Sequence, residues 1–164
     1  MTAAVKRLFL VFALALAGCA GEAPTFDDVA AGLSPAPANG ARLFVYRDFE
    51  PYQSLSWVPV FLNGKEVGAV GPGYVIMRDL PPGGYRIEAK SEGLWPEQAK
   101  TVSIAAGETV YAKITSFKSA DPSSNNAGAT ITTFVVTLVD AATGRREIAS
   151  LWYTARRQRP AAAG

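Results

Sequence analysis

The stretch "VPVFLNGKEVGAVGPGYVIMRDLPPGGYRI" (Val58–Ile87) decides the fold class. Two runs of β-branched and aromatic residues flank Asn63-Gly64, a dipeptide whose central residues accept the positive φ that a tight hairpin requires. The spacing therefore predicts a strand over "VPVFL", a turn, and a returning strand over "KEVGAV". Pro59 has no backbone donor, so its strand should lie at a sheet edge or carry a bulge. "YVIMRDL" then runs into Pro81-Pro82-Gly83-Gly84, a second turn, and "YRIEAK" follows. The glycines Gly64, Gly68, Gly71, Gly73, Gly83, Gly84 and Gly107 read as turn residues. "GAVGPG" opens no helix whose N-terminus could hold a phosphate.

The same texture extends in both directions. "RLFVYR" (Arg42–Arg47) suits a strand. "KTVSIA", Gly107 and "TVYAKITSF" read as a hairpin-linked pair, with Val102/Ile104 and Val110/Ala112/Ile114 each forming one buried face. "KSADPSSNNAGA" (Lys118–Ala129) is a polar loop, and "TITTFVVTLVD" a long strand. "ATGRREIASLWYT" adds a turn and a last strand; the alternative is a helix, since Ile148, Leu151 and Trp152 are spaced three and four apart. Seven or eight short strands with a turn every eight to twelve residues predict an all-β, antiparallel β-sandwich over residues 41–155. Its expected core comprises Leu43, Val45, Val60, Leu62, Val75, Ile87, Ile104, Val110, Ile114, Val135 and Leu138.

The segment before this domain is of another kind. Lys6 and Arg7 precede ten apolar residues, Leu8–Ala17, about half of what a membrane-crossing helix needs. This is the layout of a secretory signal, residues 1–18. It ends in Leu16-Ala17-Gly18-Cys19, which resembles a bacterial lipobox, with small residues for the peptidase and a thiol to accept diacylglycerol. Cys19 is the single cysteine of the chain, so it cannot form an internal disulfide. The expected role is covalent lipid at Cys19, with no other cofactor. Ala20 stands where, by resemblance to enterobacterial sorting rules, an aspartate would retain the protein at the inner membrane. The expected address is the outer membrane, anchored by lipid and facing the periplasm. Residues 19–40 read as a lipidated tether. Within them "PTFDDVAAGL" supports one short helix, capped by Thr25 with Asp28 three residues on. Such a helix needs Phe26, Val29 and Leu33 to dock on the domain.

Charge narrows the partners. Removing Lys6 and Arg7 from the 16 basic residues balances the 14 acidic ones. The excess is local: residues 141–164 hold Arg145, Arg146, Arg156, Arg157 and Arg159 against Glu147. Residues 156–164 read as a basic, disordered tail, solvated or touching anionic headgroups. An exported chain with no broad basic face is no candidate for nucleic acid. The chain has no histidine, which removes the common zinc ligand sets and the Ser-His-Asp and Cys-His nucleophile pairs. Asp79, Glu88, Glu92 and Glu97 show no pairing in sequence that would suit glycosidase chemistry. These absences lead to the expectation of no enzyme and no metal. The residues that stand out are aromatic: Tyr52 and Trp57 in "FEPYQSLSW" and Trp95 in "EGLWPE". Rings in polar loops suit either an anchor for a protein partner or a stacking platform for a sugar.

Residues from about Phe26 to Leu151 resemble the family labelled domain of unknown function 2846, found in bacterial lipoproteins. The likeness rests on "ARLFVYR", "VPVFLNGKEVGAVGPGYVIMRDLPPGGYRI", "AAGETVYAKI" and a "PTF" start before the first strand. "LNGKEVG" and "PPGGYRI" also resemble hairpins of surface-layer peptidase-associated repeats. The resemblance implies an anchored β-domain and carries no catalytic residue. The combined expectation is a non-catalytic protein-interaction module in the cell envelope, docking an envelope protein. The alternative is a module binding glycan, peptidoglycan or lipid through its loop aromatics.

Overall fold

The computed structural model describes residues 23–49, 54–91, 98–126 and 128–154. Nine strands among them form two packed sheets: β1 (Ala41–Tyr46), β2 (Val58–Leu62), β3 (Lys65–Val70), β4 (Tyr74–Leu80), β5 (Gly83–Ala89), β6 (Ala99–Ile104), β7 (Thr109–Ala120), β8 (Thr130–Val139) and β9 (Trp152–Tyr153). Two helices, α1 (Phe26–Ala30) and α2 (Ala141–Ile148), complete the elements. One sheet has the order β8-β7-β1-β4-β9, the other β3-β2-β5-β6. The all-β sandwich expected from the turn spacing is what the chain forms.

The hairpin at Asn63-Gly64 forms as read: Asn63 has φ 49° and Gly64 φ 79°, and Leu62 pairs with Lys65. Asn63 also accepts from Arg86 N and donates to Gly84 O, fixing the turn to β5. β2 lies inside its sheet, between β3 and β5, so of the two roles available to Pro59 the edge is excluded. The register shifts between Val60 and Phe61, and the β5 ladder begins only at Val60. Pro59 serves as an acceptor, its carbonyl taking Lys90 N at 2.9 Å.

The sheets are not purely antiparallel. β1 runs parallel to β7, and β4 parallel to β9. The reason also corrects the expected β6–β7 hairpin. β6 pairs with β5 in one sheet, while β7 pairs with β1 and β8 in the other. Residues 105–108 cross between the layers, and the turn is held against the start of β1: Gly107 N donates to Gly40 O at 2.6 Å and Arg42 N to Glu108 O at 2.8 Å. The local alternation was right, but alternation says nothing about which sheet a strand joins.

The core between the sheets gathers Leu43, Val45, Val58, Val60, Leu62, Ile76, Ile87, Ile104, Ala112, Ile114 and Val136. β8 contributes Val136 and the partly buried Leu138, while Val135 is only half-buried and points the other way. Every residue of β1 is buried, because its second face is covered as well. There Phe44, Tyr46, Val75, Tyr111, Ile148 and Leu151 form another cluster, with Phe26 and Tyr153 against it. Val75 belongs to this outer cluster and not to the inter-sheet core.

The last segment resolves into both alternatives in turn, a helix and then a two-residue strand. Asp140 caps α2 by accepting from Ala142 N and Thr143 N, and α2 packs on β7. The polar loop is shorter than read: Lys118–Ala120 belong to β7. The short N-terminal helix is present, with a capping box between Thr25 and Asp28. Phe26 docks edge-on against Phe44 at 5.2 Å, supplying the tertiary contact that so short a helix requires.

Candidate functional site

Of the aromatic candidates, Trp57 lies among the described residues, whereas Tyr52 and Trp95 lie outside them. Leu16, Ala17, Gly18 and Cys19 lie outside them too. Trp57 is half-buried at the entry to β2, and its indole lies on Gly71; a Cβ there would sit 2.8 Å from the ring. The absence of a side chain at Gly71 is thus what admits the ring. Trp57 meets Tyr74 at 4.7 Å between centroids, and Tyr74 meets Trp152 at 5.2 Å. Trp152 in turn rests over Gly73, where a Cβ would come within 3.1 Å. The result is a row of three rings, Trp57, Tyr74 and Trp152, laid across the turn between β3 and β4.

Sequence reasoning missed Tyr74 and the place of Trp152 in this row. "GPGY" carries a faint signal in hindsight, since both of its glycines are pressed by indoles. The rings are brought together only because β9 adds beside β4, pairing Tyr74 with Trp152 and Val75 with Tyr153.

A buried arginine positions the first ring. Arg47, 1% exposed, donates to Ser54 O and Ser56 O, both at 2.7 Å. Its guanidinium lies 5.0 Å from the Phe134 ring centre. Ser54 N donates to Ser116 Oγ at 3.2 Å. Residues 54–56 are therefore tied to the residue that follows β1 and to β7, and Trp57 follows from a fixed point.

Each end of the row opens on a hollow. The one beside Trp57, about 340 Å³, is lined by Ser54, Pro59, Lys90, Thr132 and Phe134. The one beside Trp152, about 310 Å³, is lined by Asp48, Phe49, Gly73, Glu147 and Leu151. Both volumes are at the small end of the range for ligand pockets.

Two residues lining the second hollow, Asp48 and Glu147, belong to an ionic clamp. Lys113 Nζ stands 2.5 Å from Asp48 Oδ2 and 3.1 Å from Glu147 Oε2. The Tyr46 hydroxyl donates to the same Glu147 oxygen at 2.6 Å. Burial works against the charge of Lys113, but the hydrogen bonds to Asp48 and Glu147 outweigh it and its pKa is raised. Burial likewise opposes the Glu147 carboxylate, and the bonds from Tyr46 and Lys113 outweigh it, so its pKa is lowered. Tyr46, buried and facing Glu147, is pushed far up and stays a neutral donor. Three fixed charges remain, two negative and one positive, beside exposed Phe49 and Trp152. Such a surface is suited to a cationic group carried on an apolar stem.

The other carboxylates read in the sequence are apart from this site. Asp79 takes Arg42 with both oxygens, at 2.7 and 3.0 Å, while the same guanidinium reaches Ser34 O and holds the incoming chain to β1. The bond from Arg42 lowers the Asp79 pKa. Glu88 pairs with Arg86 at 2.6 Å, and Glu92 and Glu97 lie outside the described residues. Among the described residues no cluster of His, Cys, Asp or Glu forms a metal site, and no helix is long and apolar enough to cross a membrane.

The fold and site define an all-β sandwich with one helix-covered face and an aromatic row at one end. No family model, curated protein or solved structure matches the chain.

Proposed function

We propose that this protein is a lipid-anchored lipoprotein of the outer membrane, facing the periplasm, that works as a non-catalytic interaction module for another envelope protein. The row Trp57–Tyr74–Trp152 with its acidic hollow is the proposed contact surface. The observation that carries this reading is the coincidence of three things at one end of the sandwich. The ring row is positioned by a buried arginine. Phe49 and Trp152 there are 60% and 36% exposed. Asp48 and Glu147 lie beside them. Clustered exposed apolar groups beside fixed charge are the ordinary makeup of a docking site. The clamp supports binding over proton transfer: a general acid or base works best with a pKa near the operating pH, and here Tyr46, Lys113 and Glu147 are driven further from it.

The partner this surface suits presents a lysine or arginine flanked by apolar residues. The anchoring part rests on Lys6, Arg7, the apolar run and Leu16-Ala17-Gly18-Cys19. The test is crosslinking in intact cells, comparing the wild type with Trp152→Ala and Cys19→Ser. The expected result is one reproducible protein partner, weakened by Trp152→Ala and lost with Cys19→Ser. Recovery of monomer alone under the same conditions would overturn the reading.

The row of rings also favours a second reading, a platform for a glycan or peptidoglycan fragment, because stacked aromatics suit the apolar faces of sugars. Titration with a muropeptide and glycan panel should then change tryptophan fluorescence, and Trp57→Ala should remove the change. A flat response across the panel would discard it.

A further inference from the structure

We infer that the hollow beside Trp57 is a binding site for an acidic saccharide, a sugar ring that carries a carboxylate or a phosphate. This deepens the glycan reading above and rests on it, naming which end of the ring row takes the sugar and what charge the sugar bears. The walls of the hollow come from three directions. Ser54, Ser56 and Trp57 lead into β2, Lys90 and Ser91 follow β5, and Thr132 and Phe134 belong to β8. Both connecting segments are fastened to their neighbours. Ser54 N donates to Ser116 Oγ of β7 at 3.2 Å. Lys90 N donates to Pro59 O of β2 at 2.9 Å. Ser91 Oγ then accepts from Phe134 N at 2.9 Å and donates to Thr132 O at 3.4 Å, so the segment after β5 bridges one sheet to the other. A rim ordered before the ligand arrives lowers the ordering cost of binding.

The lining has the chemistry of a site for an acidic sugar. Trp57 and Phe134 supply an apolar wall, and aromatic rings suit the apolar faces of sugars. Ser56 and Thr132 add hydroxyls that form no hydrogen bond among the described residues, and a hydroxyl can both donate to and accept from a sugar hydroxyl. Lys90 sets the charge. It is exposed, and among the described residues no carboxylate stands within ion-pair distance of its ammonium, whereas Arg42, Arg86 and Lys113 are each paired. No acidic side chain is among the described residues that line this hollow. The hollow beside Trp152 has the opposite sign, with Asp48 and Glu147 in its lining. One row of rings thus separates a cationic hollow from an anionic one, and an anion is drawn to the Lys90 end. There the ammonium is a strong donor to carboxylate or phosphate oxygens. A volume of about 340 Å³, at the small end for ligand pockets, suits one sugar unit with its acidic substituent.

The test is calorimetric titration of the full chain with three sugars built on one ring. They are N-acetylglucosamine, N-acetylmuramic acid, which adds a carboxylate, and the phosphate ester of N-acetylglucosamine. Wild type, Lys90→Gln and Lys90→Arg are compared at about 0.1 M and 1 M salt. The Lys90 side chain is exposed and unpaired among the described residues, so both variants should fold. The expected result is an acidic sugar that binds about tenfold tighter than the neutral one at low salt. That advantage should vanish in Lys90→Gln, persist in Lys90→Arg and shrink at high salt. Which acid binds tighter separates a carboxylated source from a phosphorylated one. Equal binding of neutral and acidic sugars, or an acid preference that survives Lys90→Gln, would overturn the inference and leave the glycan platform standing. Binding of none of the three discards the platform with it.

Discussion

Gly144 is where a single methyl group should undo the most structure. It lies in α2, buried against Tyr111, and a Cβ built there would come within 2.2 Å of Tyr111 Cγ and 2.6 Å of its Cβ. Ordinary contact begins near 3.4 Å, so helix and strand would have to separate by about 1.2 Å. Tyr111 cannot yield easily, because its ring is 4% exposed and stacks on Phe44 at 5.2 Å. Gly144→Ala normally gains about 1 kcal/mol of helix propensity. Against that stands overpacking at about 1–3 kcal/mol. Lifting α2 also pulls Glu147 from the Tyr46 hydroxyl, a charge-assisted bond of about 1.5–3 kcal/mol. The balance is a net loss of about 1.5–5 kcal/mol, or roughly 5–20 °C in Tm for a domain of this size. Urea unfolding followed by tryptophan fluorescence and circular dichroism measures it. In a Tyr111→Ala background the cost of Gly144→Ala should shrink by about 1 kcal/mol or more, since the two sites are in contact. Stability at or above the wild type, or strictly additive costs, would refute the seating of α2 on Tyr111.

Two further outcomes follow from the site. Arg47→Met leaves the Ser54 and Ser56 carbonyls without their buried donor, which costs about 3 kcal/mol, and should raise protease cleavage around residues 48–57. The clamp predicts a pH profile. Glu147 has a lowered pKa, so its contribution is fully present above the unfolded carboxylate value of about 4.3 and is lost as pH falls through its folded value. Lys113 has a raised pKa, so its contribution holds below about 10.4 and is lost as pH rises through its folded value. Stability from the clamp should be flat between those limits, and Glu147→Gln should flatten part of the acid limb in thermal melts across pH 2–6.

The strands, the Asn63-Gly64 turn, the bulged proline strand and the capped helix at Thr25 were legible because each depends on neighbours in the chain. Turn chemistry and period-two alternation act over a few residues, and they determined that the protein is a β-sandwich. The proposed anchor at Cys19 is read from local order too, from the basic pair, the apolar run and the small residues before it. What turn chemistry and alternation left open is which sheet each strand joins. Val110, Ala112 and Ile114 bury one face equally well beside β6 or beside β1, and only packing against the facing sheet selects β1. The same limit hid the functional surface. Trp57 stands out as a ring in a polar loop, but Tyr74 and Trp152 become its neighbours only when β9 pairs with β4 and two glycines let the indoles approach. The clamp of Tyr46, Asp48, Lys113 and Glu147 is likewise drawn from β1, the segment after it, β7 and α2. Short-range backbone preferences determined the elements of this protein; long-range burial decided their order in the sheets, and with it the chemistry gathered at the end of the sandwich.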